Sequence, residues 1–152
     1  MGNSVYTYSA DEVIVVVGGV PLSGFADGTF VNVSRDEQAF TKVTGADGTV
    51  SRAKTANKSG TITITLLSTS PSNDILTGFA VADEETSDGV VAVLVKDLSG
   101  RTVHASSAAW IQQIPDDEKS KDVGEREWVL DCAKITSFLG GNQNQTGTGG
   151  DD

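Results

Sequence analysis

The chain has 152 residues with one cysteine, one histidine and a formal net charge of −10. Its length favours one domain with its own core, and one thiol with one imidazole excludes an intramolecular disulfide and a cysteine–histidine zinc site. No apolar run approaches the ~18 residues of a membrane helix, Met1–Val20 lacks a secretory signal pattern, and the acidity argues against binding nucleic acid through its phosphates, so we expect a soluble protein made in a cytoplasm.

The first predicted element is a β-hairpin. Val13–Val17 and Val20–Leu22 are apolar strand sequences, and Gly18–Gly19 between them suits the positive φ angles of a two-residue primed turn. Pro21 has no backbone donor, so its strand is expected at a sheet edge.

The tetrapeptide Ala-Asp-Gly-Thr occurs twice, at Ala26–Thr29 and Ala46–Thr49, and predicts a turn at each place. The first turn leads into a strand at Phe30–Arg35. The second lies inside a long polar segment, residues 36–60, that is too long for a structureless loop. We therefore predict a projecting β-hairpin there, called the arm, with its tip at Gly45–Gly48.

The arm is the basic part of an acidic chain. Its predicted strands are Phe40–Thr44 and Thr49–Thr55. Thr41–Gly60 contains four basic residues and one acidic residue, so its net charge is +3. Since the whole chain has a net charge of −10, the remainder carries −13. Opposite fields on one chain favour head-to-tail self-association.

A strand and a helix follow the arm. Residues 61–66 alternate threonine with isoleucine or leucine, which predicts one buried apolar face and one neutral threonine face. Ser70 as N-cap and Pro71 at the first position then predict a helix. Its end at Asp83–Glu85 opposes the helix dipole at a cost of ~0.3–1 kcal/mol for each carboxylate, so a cationic partner is expected there.

The remaining elements are mostly strands. In Glu127–Ala133 the apolar face carries Trp128, Leu130 and Cys132. The Gly140–Asp152 tail has nothing to bury and is predicted to be disordered beyond a single domain at 1–139. The other predicted elements are strands at Val90–Lys96, Arg101–His104 and Trp110–Ile114, a turn at Leu98–Gly100 and a charged loop at Pro115–Gly124. The whole predicts a mainly β fold, a β-barrel or sandwich with one α-helix and a long projecting hairpin.

Enzymatic signatures are missing from the sequence, so no catalytic residue, metal or cofactor is expected. His104 fits a surface or interface side chain, and Cys132 a small buried hydrophobe. The carboxylate clusters at Asp36–Glu37, Asp83–Glu85 and Asp116–Glu118 lack the spacing of a calcium loop and are interpreted as solvated surface.

Several segments together resemble a known family. They are Tyr6–Ser9 before the first hairpin, Gly19–Thr29, Arg35–Glu37 with Phe40 and Lys42, the threonine-alternating strand before the helix, and Gly124–Val129. In these features the chain resembles the tail tube proteins of contractile-tailed bacteriophages, which share a fold with the contractile pyocin tube and with the hemolysin-coregulated tube protein of type VI secretion.

The resemblance implies a structural virion protein whose hexameric rings stack into an inner tail tube that delivers DNA. Its partners would be further copies of itself and the sheath, baseplate and tail terminator proteins, with the tape measure protein and DNA passing through the lumen. The inter-ring residues would be Phe40, Lys42, Val43, Arg52, Lys54, Lys58, Asp83, Glu84 and Glu85, and the lumen-facing residues Thr61, Thr63 and Thr65.

Two other classes stay open on the sequence. A type VI secretion-like tube protein would share the fold and the rings and differ in its cargo. A carbohydrate-binding or capsid-decorating β-sandwich would present clustered exposed aromatic side chains, and the aromatic content is only 6%. A hydrolase is the weakest alternative, because no triad or metal set is assembled.

Overall fold

The computed structural model describes residues 4–142 and 144–146. Within them it has one α-helix, α1 (Ser72–Thr86), and a short 3₁₀ turn at Ala10–Glu12. The strands are β1 (Ser4–Tyr6), β2 (Val13–Val17), β3 (Val20–Pro21), β4 (Val31–Arg35), β5 (Phe40–Thr44), β6 (Val50–Lys54), β7 (Gly60–Leu67), β8 (Val91–Asp97), β9 (Val103–Ile111), β10 (Glu125–Cys132), β11 (Thr136–Phe138) and β12 (Asn144–Thr146). The predicted mainly β fold with one α-helix and a separate hairpin is confirmed.

The main sheet is antiparallel, with the strand order β3-β2-β8-β9-β10-β7-β4 and with β11 paired to β9. Within the described residues β3 and β4 form its two ends, so the arrangement is sandwich-like and not a closed barrel. Two further ribbons, β5-β6 and β1-β12, lie outside this sheet. No helix of the described chain is long and apolar enough to cross a membrane.

The first hairpin has the predicted turn. Gly18 and Gly19 have φ angles of 59° and 82°, values that glycine adopts without the steric cost of a Cβ. Gly18 also lies against the helix, since an added Cβ would come within 2.5 Å of Cζ of Phe79. Pro21 lies in the end strand β3, as its missing donor predicts.

The core lies between one face of the sheet and α1. Ile62, Ile64 and Leu66 of β7 are fully buried, while the threonines between them are partly exposed, as the alternation predicts. Trp128 is 1% exposed, and its Nε1 donates a hydrogen bond of 2.9 Å to Oδ1 of buried Asn73. Because Asn73 belongs to the first turn of α1, this bond joins the helix to the sheet.

The helix boundaries differ little from the prediction. The helix begins at Ser72 with Pro71 as its N-cap, so the prediction of Ser70 as N-cap and Pro71 as the first helical residue is shifted by one position. Ser70 Oγ still accepts a hydrogen bond of 3.1 Å from the backbone N of Ser72. The helix ends at Thr86, and Ser87 follows with a left-handed φ of 58°.

Two C-terminal segments differ from the expectation. Strand β9 ends at Ile111 and does not extend to Ile114. Gln112 N still bonds to Val129 O in register with the Leu130–Ile111 pair, but beyond this bond the chain leaves β10 toward Pro115, which has no N–H to continue the pairing. In the tail, β12 pairs with β1, and Asn142 Nδ2 donates to Thr7 O at 2.9 Å. The predicted disorder of residues 143 and 147–152 falls outside the described residues.

Candidate assembly surfaces

The arm is a two-stranded ribbon whose strands pair only with each other. Phe40 lies opposite Lys54, Lys42 opposite Arg52, and Thr44 opposite Val50. All ten strand residues are exposed. No other part of the described chain therefore buries the ribbon, and a ribbon of two strands is at best marginally stable alone.

The two faces of the ribbon differ in charge. Residues directly opposite share a face, so Lys42, Arg52 and Lys54 form one basic face together with Phe40. The guanidinium carbon of Arg52 lies 4.2 Å from the centroid of the Phe40 ring, a cation–π contact. Val43 lies on the other face, which is otherwise neutral. The prediction grouped it with the basic residues, but the alternation of side chains along β5 places it on the opposite face.

The basic face has no anionic partner in the described part of the chain, whose two ion pairs are Lys119–Asp117 and Arg126–Asp117. Lys42 and Arg52, directly opposite each other, repel. The sequence of the ribbon thus creates a local penalty that an external anionic surface would relieve.

The base of the arm is fixed, in contrast to its ribbon. Asp36 accepts a hydrogen bond of 2.7 Å from Ser59 Oγ, and Glu37 one of 2.5 Å from Asn57 Nδ2. Arg35 Nη2 donates to Ile135 O at 2.8 Å, and Lys58 O accepts from the backbone N of Ile135 at 2.9 Å. Lys58 belongs to this base and lies apart from the other three cations of the arm.

The three carboxylates at the end of α1, which the sequence predicts to meet a cationic partner, differ in their contacts. Asp83 is half-buried, and its Oδ1 accepts from Gly89 N at 3.3 Å, so it helps to end the helix. Glu84 and Glu85 are exposed, and neither forms an ion pair within the described residues. Two of the three carboxylates therefore remain available to a partner.

A second acidic surface was missed by sequence reasoning. A space of about 360 Å³, called the slot, separates the first half of β10 from the chain that follows β9. It is lined by four carboxylate side chains, two amides and two apolar residues: Asp116, Glu118, Glu125, Glu127, Gln112, Gln113, Pro115 and Val129. The available signal was the pair of glutamates at alternate positions of β10, which must share a face.

The basic residues near the slot are already paired with a different carboxylate. Asp117 accepts 3.2 Å and 3.0 Å hydrogen bonds from Lys119 and Arg126, and these two donors hold its pKa below the ordinary value. The predicted cluster Asp116–Glu118 is thereby divided, since Asp117 is paired while Asp116 and Glu118 line the slot. The slot also adjoins a space of about 300 Å³ lined by Asp83 and Glu84, and Gln112 and Gln113 line both.

The arm and the slot lie at opposite ends of β7. The arm joins the sheet where Arg35 pairs with Gly60, whereas Glu125 of the slot pairs with Leu67. At ~3.3 Å per residue, the eight-residue strand separates the two by roughly 25 Å. The basic arm and the acidic slot therefore lie at opposite ends of the same strand.

The threonine face continues onto the neighbouring strands. Thr61, Thr63 and Thr65 lie opposite Asp131, Val129 and Glu127 of β10. On the other side, Ser34 and Asn32 of β4 lie opposite Thr61 and Thr63. The sheet surface around the threonines is thus neutral to acidic, and these neighbours contribute no basic side chain.

The described residues contain no group of three or more metal-ligating side chains. His104 is half-buried, its Nδ1 lies 2.7 Å from Ser137 Oγ, and burial lowers its pKa. Burial raises the pKa of the Cys132 thiol, which disfavours the thiolate. Buried Trp128 also leaves Trp110 as the one tryptophan that a sugar could reach.

Comparison with known proteins gives two matches in sequence. The family model described as the bacteriophage PhiTE tail tube protein matches residues 6–140. The structural protein ORF10 of Pseudomonas phage KPP10 is 36% identical over 151 residues, which covers 94% of this chain and 87% of that protein.

Solved structures with a similar fold come from contractile injection systems. The tube-terminating cap of the anti-feeding prophage matches with a TM-score of 0.61 at 13% identity, over 88% of this chain and 92% of that one. The sheath–tube complex of the extracellular contractile injection system PVC matches with a TM-score of 0.61 at 16% identity and the same coverage. Its sheath/tube terminator gives 0.57 at 15% identity, over 89% of this chain and 99% of that one. At these identities the likeness shows a shared fold.

Proposed function

Since this chain belongs to the bacteriophage tail tube family, and is thus a structural component of a phage virion, we propose that it polymerises into the inner tube of a contractile tail. In this proposal six subunits form a ring, rings stack head to tail, and the resulting tube conducts DNA into the host. The role is structural and needs no catalytic group.

One observation supports the stacking above all others. A basic ribbon without an internal partner leaves one end of β7, and unneutralised carboxylates lie at the other end. Two different complementary surfaces on one subunit make a heterologous contact, which repeats without closing when the copies are related by translation along an axis. Such a contact yields a tube of indefinite length.

The threonine face is the proposed lumen wall, with Thr61, Thr63 and Thr65 facing the passage. Its neighbour Asp131, opposite Thr61, adds negative charge, so the surface repels the phosphates of passing DNA and does not hold them. The tape measure protein would occupy the same passage before DNA.

The remaining proposed partners are the sheath, the baseplate and the tail terminator. Two of the similar folds come from a sheath–tube complex and a sheath/tube terminator, which supports a surface for sheath and terminator on this fold. One similar structure is itself a tube-terminating cap. The tube role is favoured here because a cap needs one of the two stacking surfaces, and this chain carries both.

Negative-stain electron microscopy of concentrated protein in low and high salt tests the proposal. We expect hollow rods or six-fold rings in ~0.05 M salt, and shorter rods in ~1 M salt, where the Debye length falls to ~3 Å. Monomers at every concentration and salt would contradict tube formation and favour a monomeric binding module.

The arm's part in stacking is tested by the triple variant Lys42→Glu, Arg52→Glu, Lys54→Glu. Because all three side chains are exposed, the subunit should remain folded by circular dichroism while rod length falls. Wild-type rod length in this variant would contradict electrostatic docking of the arm.

A further inference from the structure

We propose that the slot is the specific acceptor of the arm, and that the arm of a second copy enters it as an added β-strand along the unpaired edge of β10. The inference rests on the proposed self-assembly and names the surface that receives the arm. It differs from the sequence expectation, which assigned that part to the helix end at Asp83–Glu85.

The first argument is an open strand edge inside the slot. Strand β10 pairs with β7 along its whole length but with β9 only at Leu130–Cys132. Gln112 N donates to Val129 O, and beyond this bond the chain leaves β10. Since backbone groups alternate sides along a strand, the N–H and C=O groups of Glu127 and Glu125 point into the slot, with no backbone partner on that side in the described residues.

The second argument is that the arm supplies an open edge of its own. Strands β5 and β6 pair only with each other, so each has one side free for main-chain hydrogen bonds. Edge addition gives affinity through those bonds, and the side chains give specificity. It also removes two exposed edges at once, which otherwise invite unspecific association.

The third argument is that the side chains match in both charge and apolarity. Four carboxylates line the slot and three cations lie on one face of the ribbon. Ile114 and Val123, on the segments that border the slot, are 41% and 61% exposed. The arm likewise exposes apolar side chains, those of Phe40, Val43 and Val50. Seating the ribbon would pair the charges, relieve the repulsion between Lys42 and Arg52, and cover apolar side chains of both copies.

The position of the slot fits a contact between rings. It lies at the Leu67 end of the threonine face, where Glu127 pairs with Thr65. A ribbon seated there lies beside Thr65 and leaves the Thr61 end of the threonine face uncovered, so the proposed lumen wall is kept over that end. Within the described residues, none of the four slot carboxylates forms an ion pair, since Lys119 and Arg126 both pair with Asp117.

Charge reversal with a matched control tests the acceptor. Glu118→Lys with Glu127→Lys should weaken the stacking equilibrium at least about tenfold, a change of ~1.4 kcal/mol or more, and this should be seen as clearly shorter rods. The control Glu84→Lys with Glu85→Lys makes the same charge change at the neighbouring surface and should leave the stacking equilibrium within about twofold. Equal weakening of stacking in both variants would mean that stacking depends on general electrostatic attraction and not on the slot.

A compensating variant makes the test reciprocal. Adding Lys42→Glu and Arg52→Glu to the reversed slot should restore rods, because both partners then have exchanged charge. Failure of this rescue, with wild-type protein still forming rods, would overturn the slot while leaving the tube proposal intact. Absence of wild-type rods would instead overturn the tube proposal.

Hydrogen exchange tests the added strand. The amides of Glu125 and Glu127 should exchange rapidly in the free subunit and be protected in rods, whereas those of Glu84 and Glu85, already within α1, should change little. Rods in which the two β10 amides still exchange rapidly would overturn strand addition, even where charge rescue succeeds.

Discussion

Strand β7 and the arm follow each other along the chain and have opposite relations to the rest of the subunit. β7 lies between β10 and β4, and its apolar residues are fully buried. The ribbon of the arm buries none of its ten strand residues and pairs with nothing but itself. Contacts inside the subunit therefore explain the sequence of β7, whereas no contact among the described residues explains the sequence of the arm.

The sharpest test of this contrast shortens one β-branched side chain to alanine in each region. Ile64→Ala should lower the free energy of unfolding by about 2–5 kcal/mol, because it opens a cavity in a fully packed site. Val50→Ala, at a position that is 63% exposed, should change it by no more than about 0.5 kcal/mol. Urea unfolding of the monomer measures both, and comparable losses would mean that the arm packs on the subunit.

A second test addresses the junction of the two regions. A Cβ on Gly60 would collide with Ser34 O and would come within 2.5 Å of Cδ1 of Ile135. Gly60→Ala should therefore cost about 1–3 kcal/mol. The control Gly78→Ala, with open space around its Cβ in the helix, should instead stabilise by about 0.5–1 kcal/mol. If Gly60→Ala left the thermal stability unchanged, the junction between β7 and the arm would be more loosely packed than the structure shows.

A third test separates subunit stability from assembly. Lys42→Glu replaces a like-charge pair with Arg52 by an opposite-charge pair, so it should stabilise the ribbon by roughly 0.2–1 kcal/mol. The same change should shorten rods, because it weakens attraction to the next subunit. Amide exchange of β5 and electron microscopy give the two readouts, with Lys96→Glu, at an exposed position of β8, as the charge-matched control. A variant that stabilises the ribbon and lengthens the rods, or that weakens both, would contradict an arm adapted to an external partner.

The smallest expected effect concerns pH. Burial lowers the pKa of His104 below its ordinary 6.5, so the unfolded chain takes up a proton first as pH falls. The sheet should lose stability slightly below pH 6.5, and His104→Gln should remove that dependence. In the arm, the bond from Thr49 N holds the pKa of Asp47 below 3.8, so the turn weakens only in stronger acid. A pH dependence near 6.5 that survives His104→Gln would assign it to another group.

Local signals in the sequence predicted much of the fold. Two adjacent glycines predicted the primed turn, and the alternation in residues 61–66 predicted which side of β7 is buried. The arm followed from its length, its turn at Gly48, where φ is 89°, and the strand residues on either side. Each of these features depends on the conformational preferences of neighbouring residues, which a sequence displays directly.

Features that depend on register were not accessible in the same way. The anchoring of Lys58 at the base and the adjacency of Glu127 to Thr65 both follow from contacts between segments that are distant in the chain. The prediction that Trp110–Ile114 is all strand was wrong beyond Ile111, because the chain leaves β10 after the bond from Gln112 to Val129, and the end of that pairing is a tertiary event.

The sequence by itself determined a mainly β subunit with one helix, an uncompensated basic arm on an acidic body, and membership of the tail tube family through its architectural segments. Only the tertiary structure decided where the acid lies. It placed four carboxylates beside the open edge of β10, at the end of β7 that is opposite the arm. The physical reason is that charge and turn propensity are properties of the chain, whereas an unpaired edge and the distance between two surfaces exist only after strands from distant segments have paired.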